Sequence, residues 1–92
     1  MPIEVFFARV DRVVARAAGA ELRRLRLRAG LSQDDVARAL GSFREVVSRT
    51  ERGVCVPRLG TCARFASICG GGLGHVLLAV DRATGALPSA GG

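Results

Sequence analysis

The sequence predicts an all-α fold, a five-helix domain preceded by one amphipathic helix. Apolar residues make up 49% of the chain and charged residues 24%, which suits a globular core and is too apolar for a disordered chain. Trp and Tyr are absent and Phe occurs four times, so a core must be built from Leu, Val, Ala and Phe, the material of helix packing rather than of sheet sandwiches. Apolar positions also recur at steps of three and four along most of the chain, with glycines between the runs. At 92 residues a single compact domain is expected.

The first element is read from Ile3, Phe6, Phe7, Val10, Val13, Val14 and Ala17, an apolar stripe of about four turns. Its opposite face carries Glu4, Arg9, Asp11, Arg12 and Arg16, and Gly19 is expected to break it. Positions 3, 7, 10, 14 and 17 step like a heptad seam, but two heptads fall short of the three or four that argue a coiled coil. A second helix runs from Glu21 to Ala29 with Leu22 and Leu25 on one face, and Gly30 ends it. Ser32 is a good N-cap for a third, with Asp34 and Asp35 complementing the helix dipole and Val36, Ala37 and Leu40 inward. That helix stops at Gly41. After a short turn, Arg44 to Arg52 forms a fourth helix with Val47 inward, Val46 and Thr50 as further inward positions, and Gly53 closing it.

Val54 to Pro57 reads as a loop, and Leu59, Cys62, Ala63, Phe65, Ala66, Ile68 and Cys69 then repeat at helical spacing up to the glycines at 70–72. Leu73 to Val80 makes a short last helix, and Thr84 to Gly92 has the composition of a frayed tail. The expected organisation is an N-terminal amphipathic helix over 1–19, a domain over 20–80 and a flexible tail over 81–92.

The net charge of +6 points to an anionic partner without saying which kind. Its distribution says more: ten Arg face five acids between Glu21 and Arg64, whereas residues 1–20 carry +1 and residues 65–92 carry none. Every basic residue is Arg, which suits bidentate contacts to phosphate and guanine, although a GC-rich genome would give the same bias. No run of about 18 uncharged apolar residues exists to span a membrane. The N-terminus lacks the pattern of a secretory signal, so a cytoplasmic location and reduced cysteines are expected.

Two short helices joined through Leu40, Gly41 and Ser42 form the informative feature, because a tight glycine-containing turn sets the second helix across the first with one face free to enter a DNA major groove. The stretch LSQDDVARALGSFREVVSRTERG, from Leu31 to Gly53, resembles the Cro/C1-type helix-turn-helix family, also called the xenobiotic-response-element or lambda-repressor-like family. The likeness extends from Glu21 to about Leu78. It implies a lambda-repressor-like five-helix DNA-binding domain in a bacterial or phage, nucleoid-associated protein. It further implies that Gln33 contacts a backbone phosphate and braces the recognition helix, and that Ala37 and Gly41 lie where the motif helices touch. Val47 would anchor the recognition helix, Arg26 and Glu51 would form a buried ion pair, and Pro57 and Leu59 would begin the next helix. Cys62 and Cys69 stand where the family has Leu.

Geometry reaches the same surface. With Val47 and Thr50 inward, Arg44, Glu45, Ser48, Arg49 and Arg52 face outward. Arg44 and Arg49 suit the O6 and N7 of guanine, Glu45 a cytosine amine, and Ser48 a base or phosphate. Outside such a motif the same residues would read as a solvated helix face. Phe43 departs from the family pattern, since it stands where Ser or Thr caps the recognition helix; either Ser42 caps one residue early, or Phe43 contacts a thymine methyl group or the sugar backbone. Thr50 replaces a usual Ile or Leu, which weakens packing beneath that helix.

Cys55, Cys62 and Cys69 are seven apart, but Cys62 and Cys69 fall at core positions, leaving Cys55 as the one thiol placed to react. His75 reads as a surface residue. No nucleophile, base and orienting group are spaced for catalysis, and the glycines at 70–72 have neither the preceding strand nor the following Lys of a phosphate loop. A non-enzyme without cofactor or metal is expected. Its partners are double-stranded DNA and a second copy of the chain, with Ile3, Phe6, Phe7, Val10, Val13 and Val14 either forming the dimer surface or folding back on their own domain. The leading reading is a transcriptional regulator, a repressor binding a pseudo-palindromic operator as a homodimer. Two others stay open: an antitoxin with a toxin as protein partner, and an interaction module that has lost DNA binding.

Overall fold

The computed structural model describes residues 1–89 and contains, among them, five α-helices and no strand: α1 (Ile3–Arg28), α2 (Gln33–Leu40), α3 (Arg44–Glu51), α4 (Leu59–Ile68) and α5 (Leu73–Gly85). One helix replaces the two expected over residues 3–29, because α1 passes through Gly19 without a break. The run Ala17, Ala18, Gly19, Ala20 holds no proline to stop it, and its alanines are strong helix formers. Gly19 serves a different purpose. A Cβ there would lie 2.3 Å from the Thr50 carbonyl oxygen and 2.9 Å from that of Glu51, so the missing side chain lets the C-terminal turn of α3 press directly on α1.

The core draws Leu22 and Leu25 from α1, Val36 and Ala37 from α2, Val47 from α3, Phe65 and Ala66 from α4, and Val76 from α5. Cys62 and Cys69 are buried with them as free thiols, and burial pushes both thiols above their ordinary pKa. α5 runs antiparallel to α1, from Gly71 beside Leu25 to Val80, which shares an apolar groove with Val14. α5 also continues past the expected end at Val80 to Gly85, so residues 81–85 are helix rather than tail. The cause is the half-buried stripe of Val80, Ala83 and Leu87, which continues the face begun by Val76. Residues 90–92 of the expected tail lie outside the described residues.

Local chemistry fixes the joint between α2 and α3. The Ser32 hydroxyl accepts from Asp35 N–H at 3.0 Å while the Asp35 carboxylate accepts from Ser32 N–H at 2.8 Å, a reciprocal cap on α2. These hydrogen bonds hold the Asp35 carboxyl below its ordinary pKa. At the other end Gly41 adopts φ +66°, a left-handed conformation that only glycine takes without strain, and Ser42 N–H closes the turn on the Ala37 carbonyl at 2.8 Å. α3 begins without any side-chain cap: Phe43 occupies the N-cap in an extended conformation, and Ser42 does not replace it.

Within α1 the first buried residue is Ala15. The first two turns, over residues 3–10, thus carry no fully buried side chain and extend past the core, and the molecule measures 43 × 22 × 18 Å.

Candidate functional site

α3 lies against α1 and α2, with Val47, Thr50 and Glu51 buried beneath it. These three directions fix what remains outside: Arg44, Glu45, Arg49 and Arg52 are exposed, Ser48 is half-buried, and Phe43 is 77% exposed. Val46, expected inward, is instead 48% exposed. The reason is angular: the centre of the buried face is set jointly by Val47, Thr50 and Glu51, and at 100° per residue Val46 falls at its edge. One flank of the outward face, at Arg44, shares a cleft with Ser32, Gln33 and Asp34 at the start of α2. The other, at Val46, adjoins Ser42, Thr61 and Arg64.

The C-terminal turn of α3 is held by a buried polar cluster. Arg26 donates to Glu51 through Nε at 2.6 Å and through Nη2 at 2.9 Å, and its Nη1 donates to the Leu31 carbonyl at 2.9 Å. Gln33 Nε2 donates to the same carboxylate at 3.0 Å. One acid from α3 is therefore gripped by α1 and by the first residue of α2, while the guanidinium also fixes the segment between those helices. The hydrogen bonds to Glu51 hold the Arg26 pKa above its ordinary value against the opposing effect of burial. Among the described residues no buried side-chain nitrogen or oxygen lacks a partner, so both charges are fully satisfied.

The electrostatics of the outward face differ. Among the described residues the ion pairs are Arg24–Glu21 and Arg26–Glu51, leaving Arg44, Arg49 and Arg52 without a carboxylate. Arg52 Nε donates to the Ser48 carbonyl at 3.4 Å, and the remaining guanidinium donors of the three arginines are left in water for an incoming phosphate or base edge. Val46 and Arg64 extend this face beyond the residues read from the sequence. Angular bookkeeping around Val47, Thr50 and Glu51 would have found Val46, whereas Arg64 joins through tertiary packing that spacing does not encode.

At the other end of the molecule, Ile3 and Phe7 of α1 are 47% and 57% exposed, and Phe6, Val10 and Val13 are half-buried. The Phe6 and Phe7 rings lie 6.2 Å apart. Val14 faces Leu59, Leu77 and Val80 of its own domain. Cys55 is exposed. His75 accepts at Nδ1 from Gly72 N–H at 3.2 Å at the start of α5. Among the described residues no three His, Cys, Asp or Glu side chains gather to hold a metal ion, and no helix is long and apolar enough to cross a membrane.

A family model described as a helix-turn-helix domain matches residues 17–80. Neither curated proteins nor solved structures gave a match.

Proposed function

The chain belongs to the helix-turn-helix domain family, and from that premise we propose that it is a sequence-specific DNA-binding regulator of the Cro/C1, lambda-repressor-like type, a repressor that binds a pseudo-palindromic operator as a homodimer. The observation that carries this reading is the contrast across α3: an inner side locked through Glu51 to Arg26 and Gln33, and an outer side with three unpaired arginines. A rigid helix with free guanidinium groups is what base readout in the major groove requires. Arg44 and Arg49 read guanine, Glu45 accepts from cytosine, Ser48 and Arg52 complete the face, and Phe43 packs on a thymine methyl group or the sugar backbone. Gln33, at the start of α2, contacts a flanking phosphate.

The first two turns of α1 supply the dimer contact through Ile3, Phe6, Phe7 and Val10. Two-fold symmetry then places the recognition helices in successive major grooves, about 34–36 Å apart. Selection of bound duplexes from a random pool tests the reading. Enrichment of a palindrome with half-sites one helical turn apart is expected, and no enrichment would refute it. Arg44→Ala should abolish preference at one base position, at a cost of about 1–3 kcal/mol, while Gln33→Ala weakens all sequences alike. An unchanged preference in Arg44→Ala would show that α3 sits in the groove in another register.

A further inference from the structure

We propose that α1 carries a second phosphate-binding element outside the helix-turn-helix domain, in which Arg12 and Arg16 join Arg52 to hold a backbone phosphate of the duplex that α3 reads. The proposal rests on the DNA-binding reading above and adds two residues that lie before the matched segment, which begins at residue 17.

The three arginines line one open cleft between α1 and the segment that follows α3. Arg12 and Arg16 stand four residues apart on α1, the spacing at which like charges repel along a helix, and Arg52 reaches the same space from the C-cap of α3. Asp11 also borders the cleft, but none of the ion pairs among the described residues involves it or these arginines. Three guanidinium groups thus face one carboxylate across a concave surface. Such an arrangement repels itself until an anion enters, and guanidinium forks match the oxygens of a phosphate.

The cleft is held in place by two close approaches of backbone. A Cβ on Gly53 would lie 2.9 Å from the Arg16 Cα, so the segment after α3 is seated on α1 at Arg16 itself. The approach of Gly19 to the carbonyls of Thr50 and Glu51 fixes the same two elements one turn further along. The position of Arg52 links the cleft to the reading face, because at 100° per residue it falls between Ser48 and Glu45 on the outward side of α3. A duplex lying on that side runs past the mouth of the cleft. An open cleft that shares a wall with the reading face suits a phosphate of a polymer passing across it better than a small anion enclosed within it. Phosphate binding of this kind positions a protein on DNA and carries no sequence information.

The test uses the full chain with Arg12→Gln and Arg16→Gln combined; both residues are exposed, and circular dichroism checks that the helices are retained. Affinity is measured across salt concentrations for a random-sequence duplex and for the duplex recovered by selection. The slope of log affinity against log salt should fall in magnitude by up to roughly 0.9, the value for the one phosphate charge no longer neutralised. The affinities for the two duplexes should drop by the same factor, leaving their ratio unchanged. A double variant that keeps the wild-type slope, while Arg44→Ala still alters base preference, overturns this proposal and leaves the DNA-binding reading standing. A wild-type chain that binds neither duplex overturns the reading and the phosphate element with it. Titration with inorganic pyrophosphate provides a third arm. Saturable binding abolished by the double variant, with the DNA salt slope untouched, would assign the cleft to a free anion and overturn the proposal.

Discussion

Gly19 lies inside a helix, where alanine is ordinarily more favourable than glycine by about 0.5–1 kcal/mol. Here the comparison inverts, because the new methyl group would meet backbone oxygens at 2.3 and 2.9 Å, and those belong to the last turn of α3 and cannot rotate away. Gly19→Ala should therefore destabilise the fold by about 1–3 kcal/mol, the usual cost of overpacking. Gly74→Ala is the matched control: Gly74 is also helical, its added methyl would meet nothing within 4 Å, and a gain of up to about 1 kcal/mol is expected. Urea unfolding of the two variants checks the sign, and a stabilised Gly19→Ala would mean that α3 stands further from α1. The sequence displays Gly19 only as an interruption in an apolar run, since its partners lie far along the chain. The roles of Ser32 and Gly41 are legible because each depends on residues within a few positions.

At the scale of the element, α2 is capped at its N-terminus by its own residues, whereas α3 has no side-chain cap and is secured at its C-terminal turn through Glu51. The cap on α2 makes stability depend on pH in a definite direction. The Asp35 carboxyl is held below its ordinary pKa by hydrogen bonds from Ser32, so the unfolded chain takes up its proton more readily than the folded one. Its contribution is fully present above the ordinary carboxylate pKa of about 3.9 and is lost as the pH falls through the lowered value. Asp35→Asn should flatten the acid limb of a stability-against-pH curve, and Ser32→Ala should cost about 0.5–2 kcal/mol at neutral pH. Glu21 is also lowered, by its hydrogen bond from Arg24, and will leave a slope of the same sign. An acid limb unchanged in Asp35→Asn would place the dependence elsewhere. Helix boundaries are legible where a cap or a left-handed glycine marks them. The end of α5 is not, because the composition after Val80 is that of a tail while the pattern of Val76, Val80, Ala83 and Leu87 still follows one helical face.

Across the whole molecule, α1 presents different chemistry on two flanks: Arg12 and Arg16 beside the segment after α3, and Ile3, Phe7 and Val10 on the side turned away from it. The projecting turns have no core of their own to cover, and Ile3 and Phe7, one turn apart, are exposed in a segment that a second copy of the chain could cover by symmetry. The full chain should therefore sediment as a dimer, and a variant combining Ile3→Ser with Phe7→Ser should be monomeric with its helix content retained, since neither side chain supports the core. On DNA that monomer should bind single half-sites without cooperativity. A wild-type chain that remains monomeric both free and on DNA would refute the α1 dimer, and a double variant that still dimerises would move the interface elsewhere. Because the basic flank stays open when the apolar flank is covered, the variant should keep the wild-type salt dependence per protomer while losing half-site cooperativity. Loss of both together would mean that pairing of α1 helps to set the cleft between Arg16 and Arg52, coupling dimer assembly to phosphate binding through a single helix.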